Sequence, residues 1–354
     1  MSDTTIDKKI PVGILGATGS VGQKFVELLA DHPWFEITAL AASERSAGSA
    51  YREVVKWFQT SPLSPHMGEM TVRACEPTLP CRIVFSGLDS RVAGEIETEF
   101  AEAGYVVVSN SKNHRMDPQV PLLVPEINSD HLELVKYQSF SEGMIVTNPN
   151  CSTIGMVMAL KPLLDEFDLD AVTVVTMQAI SGAGYPGVSS LEILGNVIPY
   201  ISDEEGKMET EPLKIFGRLN NDEITPRDLT ISAQCNRVAV MDGHLESISV
   251  KLKKAATVEK MKAAWRQFSG EPQRLNLPSA PAQPIYYFEE EHFPQPRLHR
   301  NLEKGMAISI GRLRPCQVMD YKFMVLSHNT IRGAAGGAIL NAELMVKKSI
   351  FRLR

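Results

Sequence analysis

Apolar residues run through the first 150 positions in two alternating rhythms. Short unbroken runs, Val12-Gly13-Ile14-Leu15 first among them, read as buried strands. Between them, apolar residues recur at helical spacing: Val21, Phe25, Leu28 and Leu29 fall at i, i+4, i+7 and i+8. The same reading predicts strand 36–42, strand 82–86, helix 91–103, strand 105–109, helix 129–137 and strand 144–147. Three prolines make 117–128 a loop or crossover. Strands alternating with helices predict a parallel, doubly wound sheet of the Rossmann type, an α/β fold.

Beyond residue 150 the texture changes. Residues 154–160 read as the start of a buried helix, and 172–177 as a β-branched strand. The charged stretch 203–214 reads as a mobile helix or loop. Residues 245–253 alternate apolar and polar, as a half-exposed strand does. The proline-rich stretch 272–296 reads as irregular chain, and strands follow at 306–313 and 321–327. This half predicts an α+β domain with one broad, mixed sheet. Small residues followed by apolar ones from Arg332 open a long helix, expected to pack back on the first domain near a dinucleotide. No internal repeat is visible.

Composition narrows the class. The 354 residues suffice for two domains, and 44% hydrophobic with 22% charged residues is ordinary globular usage. A formal net charge of −6 and the lack of a basic block argue against nucleic acid. The basic Lys347-Lys348 and Arg352-Leu353-Arg354 suit the end of a helix. No apolar run is long enough to span a bilayer, so no membrane is expected. The first nine residues lack a hydrophobic segment and do not read as a signal peptide. Cysteines 75, 81, 151, 235 and 316 are few and scattered, which fits a reducing cytoplasm. Cys75 and Cys81 match no common zinc or redox spacing and read as structural. The eight histidines show no ligand spacing, and no metal is assigned.

Candidate chemistry begins with Gly13, Gly16, Gly19 and Gly22, three apart, running from a strand into a helix. A tight turn whose amides touch a diphosphate needs glycine there, although the spacing is not Gly-x-Gly-x-x-Gly. A βα turn without a ligand is the plainer alternative. At the end of the second strand, Ser43, Arg45 and Ser46 suit a 2′-phosphate and favour NADP. Glu44 argues for NAD unless it points to solvent.

Asn148-Pro149-Asn150-Cys151-Ser152-Thr153 places one thiol at a strand-to-helix junction. The helix N-terminus is expected to favour the thiolate, the nucleophilic form. A small core cysteine is the plainer reading. Gln178 to Gly187, with three glycines in its last six residues, suits a loop wrapped around a ligand, or a tight turn. Arg237 and His244 flank a turn that lets both reach one cleft, the first suited to a carboxylate and the second to proton transfer.

Together with Ser109 to Arg115, Val124-Pro125-Glu126 and His328 to Gly333, these segments resemble the aspartate-β-semialdehyde dehydrogenase family, of the branch common in archaea, fungi and some bacteria. The resemblance covers nearly the whole chain. It implies an NADP-binding domain over 1–150, a catalytic and dimerisation domain over 151–330, and a C-terminal helix over 331–354. It also implies NADPH-dependent, reversible reductive dephosphorylation of L-4-aspartyl phosphate to L-aspartate 4-semialdehyde and phosphate. That step leads to lysine (through diaminopimelate), threonine, methionine and isoleucine. Cys151 would form a thioester, with His244 as general acid/base and Gln178 orienting the intermediate. Arg237 would hold the substrate carboxylate and Glu211 its amino group, with Glu209 a near alternative. Arg115, Lys214 and Asn150 would meet the phosphate. Gly16, Thr18, Gly19, Ser20, Val21, Ser43, Arg45, Ser46, Ser181, Gly182 and Asn329 would meet the cofactor. Homodimers or homotetramers are expected. Malonyl-CoA reductase, built on the same scaffold, is the rival reading. N-acetyl-glutamyl-phosphate reductase is more distant, and a catalytically silent NADP sensor would have no use for Cys151, Gln178, Arg237 and His244 together.

Overall fold

The computed structural model describes residues 8–352. The first seven residues, read as lacking a leader, and Leu353 and Arg354 of the basic end lie outside the described residues.

The buried runs of the first half form strands Ile10–Leu15 (β1), Phe35–Ala42 (β2), Arg73–Ala74 (β3), Ile83–Ser86 (β4), Val106–Ser109 (β5) and Met144–Thr147 (β6). They pair in the order 3-2-1-4-5-6, every neighbour parallel. The order reverses beside β1, and a ligand crevice opens at the carboxyl ends of strands at such a point. Helix Ser20–Leu29 (α1) follows β1 directly, and Ser90–Glu102 (α2) follows β4 behind an Asp89 cap. The stretch 129–137 is a 3₁₀ helix rather than an α-helix.

Helix Cys151–Phe167 (α3) carries the chain into a second sheet. Its strands are Leu169–Gln178 (β7), Thr230–Arg237 (β10), His244–Leu252 (β11), Ile285–Phe288 (β12), Ile308–Pro315 (β13) and Tyr321–Ser327 (β14), with a small hairpin, Arg218–Asn220 (β8) and Glu223–Thr225 (β9), apart from it. The order is 10-7-11-14-13-12, mixed parallel and antiparallel. One strand, β12, falls inside the stretch read as irregular. Its aromatic run Tyr286-Tyr287-Phe288 was masked by flanking prolines, and Tyr287 stacks on Trp265 at 5.7 Å.

The charged stretch forms helix Glu204–Ile215 (α4). It is ordered because its inward charges are paired: Glu204, Glu211 and Lys214 are all buried. The chain ends in helix Gly336–Lys347 (α5), entered by a π-turn over Ile331–Ala335. Ala338, Ile339, Leu340 and Met345 of α5 join the core of the first sheet, with Phe25 and Val108. Arg332 and Glu126, both fully buried, lock that return with two parallel hydrogen bonds of 2.9 and 2.7 Å.

Candidate active site

Two of the recurring glycines are demanded by backbone geometry. Gly16 turns at φ +74°, and a Cβ at Gly22 would strike the Gly16 carbonyl. Gly13 is different: a Cβ there would meet the Cys81 sulfur at 2.9 Å, so it serves core packing. Gly19 caps α1 without a side-chain hydrogen bond, and the first turn of α1 holds no acidic residue. The turn therefore leaves helix amides open to an anion, as a dinucleotide diphosphate requires. Ser43 and Arg45 stand exposed just past β2, and Ser46 closes the turn through its amide on the Ser43 carbonyl (2.8 Å).

A cleft of about 500 Å³ runs from the start of α1 to α3, lined by Ser20, Val21, Ser181, Asn329, Arg237 and Cys151 among others. Asn329 ties its far wall together. Its Oδ1 accepts from the Gly243 amide and its Nδ2 donates to Ser181 Oγ, both at 2.8 Å. At the mouth, Tyr185 of the glycine-rich loop stacks on Phe58 of the first domain, with Lys56 over its ring.

Register brings the catalytic candidates to one end of the second sheet. Arg237 pairs with Gln178 across β10 and β7, and His244 pairs with Ser327 across β11 and β14. Cys151, the first residue of α3, points at that end. Its Sγ lies 3.2 Å from His244 Nε2. The Ala179 amide donates to His244 Nδ1 at 3.0 Å. Nδ1 is thus an acceptor, and the proton of the neutral ring sits on Nε2, facing the sulfur. A flipped ring would lose both contacts. Burial, then Arg237 and His328, hold His244 well below the ordinary histidine range, so it stays neutral near pH 7.

The expected thiolate meets a correction here. Asn150 Oδ1 accepts from the amides of Ser152 (2.9 Å) and Thr153 (3.2 Å). Two of the donors that a helix N-terminus offers an anion are thus taken by the cap. Burial pushes the Cys151 thiol up to about 12, and Glu204 adds to it, while Arg237, Arg115 and Lys207 pull it down. The His244 Nε2–H is the donor that directly faces the sulfur.

Comparison with known proteins gives the family. Residues 11–135 match the family described as semialdehyde dehydrogenase, NAD binding domain, and residues 160–332 match semialdehyde dehydrogenase, dimerisation domain. The aspartate-semialdehyde dehydrogenase of Schizosaccharomyces pombe is 52% identical over 352 residues, covering 96% of this chain and 98% of its own. That of Archaeoglobus fulgidus is 48% identical over 343 residues, covering 96% and 98%. The crystal structure of the Candida albicans enzyme with NADP superposes with a TM-score of 0.91 at 45% identity, covering 97% of this chain and 100% of that one.

The chain belongs to the aspartate-semialdehyde dehydrogenase family. It is an oxidoreductase of that family, with a Rossmann-like nucleotide-binding domain and a dimerisation domain. The malonyl-CoA reductase alternative finds no support among these relatives.

Within this dehydrogenase the substrate candidates separate. Arg115 lines the cleft, held by Glu211 Oε1 (2.8 Å) and by donation to the Asn110 carbonyl (2.8 Å). Arg237 also lines it, anchored on the Ala179 carbonyl at 2.7 Å. A Cβ at Gly182 would sit 2.9 Å from Arg237 Nη1 and 3.1 Å from His244 Cε1, so only glycine lets the loop close over both. Gln178 is buried, with its amide turned onto Thr176 Oγ1 (3.3 Å).

Glu211 and Lys214 are not where the sequence reading put them. Both Glu211 oxygens are used, by Arg115 and by the Asn150 amide (2.7 Å). Lys214 gives all three protons to the carbonyls of Arg115, Asp117 and Val120. Neither lines the cleft. The α4 residues that do are Glu204 and Lys207, which the sequence reading left in an undifferentiated charged stretch. Their signal was present: Glu204-Glu205-Gly206-Lys207 repeats the Glu-x-x-Lys spacing of 211–214.

Proposed function

We propose that this chain catalyses the NADPH-dependent, reversible reductive dephosphorylation of L-4-aspartyl phosphate to L-aspartate 4-semialdehyde and phosphate, in the cytoplasm. The carrying observation is Cys151 Sγ at 3.2 Å from His244 Nε2, beside a cleft that runs from the start of α1.

The residues divide the work as follows. Cys151 sulfur attacks the acyl carbon and the carbon–oxygen bond to phosphate breaks. The thiol proton ends on the departing phosphate, so hydrogen phosphate leaves a thioester behind. The bound cofactor, when present, supplies a hydride to that carbon. The alkoxide on Cys151 then expels the thiolate and frees the aldehyde. His244 serves as a neutral donor, its Nε2–H facing first the sulfur and then the oxygen that becomes negative. Arg237 receives the substrate carboxylate, Arg115 the phosphate, and Asn150 stands beside it. Gln178 braces the end of β7 next to Arg237.

NADP, rather than NAD, is favoured by Ser43, Arg45 and Ser46 past β2. The cytoplasmic placement rests on five free cysteines, the form that a reducing compartment keeps. Among the described residues no helix is long and apolar enough to cross a membrane. The dimerisation-domain match supports a homodimer, as does the apolar surface that Leu191, Leu194, Val197 and Tyr200 expose within ten residues of chain.

The test is L-aspartate 4-semialdehyde with NADP⁺, followed by NADPH absorbance with and without phosphate. Phosphate-dependent reduction that disappears in Cys151→Ala is the expected result. Turnover that ignores phosphate, or survives loss of the thiol, sinks the proposal.

A further inference from the structure

Helix α3 packs against β11 and β14 at Gly155. A Cβ there would lie 2.6 Å from Ser327 Oγ and 3.6 Å from Glu246 Oε1. The hydroxyl and the carboxyl therefore border one space against the helix, and only glycine leaves it open. Gly155 follows Cys151 by one turn, about 6 Å along α3 and on the same face. On the sheet side, Ser327 stands opposite His244, and Glu246 is two residues from His244 on the same face of β11. The space thus lies behind the Cys151–His244 pair.

Its walls are polar, buried and unpaired. Glu246 and Ser327 are both buried. Neither Glu246 oxygen nor Ser327 Oγ has a hydrogen-bond partner among the described residues. Buried polar groups are nearly always paired, so an acid and a hydroxyl facing one space behind a nucleophile call for a function.

The titratable groups around Glu246 are His244 on its own strand, Cys235 and Arg237 on β10, His328 past the end of β14, Cys151 on α3 and Glu204 on α4. Arg237 turns Nη1 to the Ala179 carbonyl. His244 is neutral, and burial pushes His328 down to about 4. None of these sets a cation against the carboxyl, and Glu204 repels its charge. Burial, then Glu204, keeps Glu246 protonated well above the usual carboxyl range.

The Cys151–His244 pair lacks a proton acceptor. The Ala179 amide pins His244 Nδ1 as an acceptor, so Nε2 carries the proton and no ring lone pair faces the sulfur. His244 can donate toward Cys151 and cannot take its proton. We propose that Glu246 is the proton reservoir of Cys151, exchanging the thiol proton through the Ser327 hydroxyl. This rests on the function proposed above and adds to it a residue that acts through Cys151, touching neither substrate nor cofactor.

In the oxidative direction the Glu246 carboxylate takes the thiol proton, and the thiolate adds to the aldehyde carbon. The carboxyl then gives that proton to solvent before the next cycle. In the reductive direction the thiolate left by the departing aldehyde takes the Glu246 proton, and the carboxylate regains one from solvent. One proton is released or consumed per turnover. A carboxyl raised toward the working pH suits both directions, because its acid and base forms are then both within reach.

The test follows kcat from pH 6 to pH 9 with L-aspartate 4-semialdehyde, NADP⁺ and phosphate. Wild type is expected to speed up with pH as the carboxylate becomes available. Glu246→Gln is expected to lower kcat about a hundredfold, to leave the KM values nearly unchanged and to remove the rising limb. Its Tm and its affinity for NADPH should not fall, since the amide fills the same space. Ser327→Ala is expected to lower kcat about tenfold and to keep the limb, because the acid still titrates while solvent replaces the hydroxyl less effectively. Wild-type kcat in Glu246→Gln, or a rising limb that survives in it, overturns the proposal. So does a kcat loss matched by a lower Tm and weaker NADPH binding, which marks a packing role. If Glu246→Gln does not fold, Ser327→Ala decides: a lowered kcat with the limb kept supports the relay, and full kcat overturns it. A wild-type chain inactive with the aldehyde at every pH overturns the proposed function instead.

Discussion

Lys214 donates to the carbonyl oxygen of Arg115 at 2.8 Å, and its other two protons go to the carbonyls of Asp117 and Val120. One buried ammonium thus gathers three carbonyls of one loop and holds Arg115 beside the cleft. Lys214→Met strands three carbonyls without their donor. A loss of about 1–3 kcal/mol is expected, seen as a lower Tm in phosphate-free buffer. A variant as stable as wild type would return Lys214 to the role of a free phosphate ligand.

Gly333 backs the nucleophile. A Cβ on it would lie 2.8 Å from the Cys151 Cβ and 3.0 Å from its carbonyl oxygen. Gly333→Ala must push Cys151 toward the cleft or shift the turn itself. The expected result is a fall in kcat with KM nearly unchanged, and a stability cost of about 1–3 kcal/mol from overpacking. Full kcat in this variant would show that the turn yields without moving the sulfur.

The Arg332–Glu126 pair, fully buried on both sides, joins the C-terminal return to the first domain. Arg332→Leu leaves a carboxylate buried without its cation, which costs about 3–5 kcal/mol. The double change Arg332→Leu with Glu126→Leu removes the stranded charge and should recover part of that loss. Urea unfolding of the single and double variants measures the difference. A double variant less stable than the single one would mean that packing, and not charge burial, dominates.

Glu246 lies on the same face of β11 as His244, one step deeper. It is fully buried, and neither carboxyl oxygen has a hydrogen-bond partner among the described residues. Burial, with Glu204 adding to it, raises it well above the usual carboxyl range. Its folded form therefore holds a proton that the unfolded chain releases above its ordinary value of 4.5. Stability from this group is full below that value and is lost as pH rises toward the folded one. Glu246→Gln lacks the titration, so its Tm advantage over wild type should widen from pH 5 to pH 8. A gap that stays constant with pH would mean that Glu246 is ionised in the folded protein.

How much of this was legible in the chain depended on how local the cause is. Alternating buried strands and amphipathic helices announced the doubly wound sheet, because each period is set by its own backbone. The tight turn at Gly16 and the cap at Asn150 were visible for the same reason. The motif Asn148 to Thr153 marked Cys151 as a candidate nucleophile, and the turn between Arg237 and His244 pointed both at one cleft; Arg237 lines it, while His244 is buried beside Cys151. Strand β12 was obscured, since flanking prolines describe the chain around it and the partner strand β13 lies 20 residues away.

The sequence by itself determined the residue types that carry the chemistry and the local elements that hold them. Only the tertiary structure decided which copy of Glu-x-x-Lys reaches the cleft, because both copies share one face of α4 and only their neighbours differ. It also decided the state of the catalytic pair. Cys151 and His244 are 93 residues apart, and the Ala179 amide that sets the histidine tautomer comes from a third segment. The cap that marked the helix start turned out to occupy two of the amides expected to favour the thiolate. Such outcomes depend on which donors and charges meet across the fold, a property of packed neighbours that no stretch of chain contains alone.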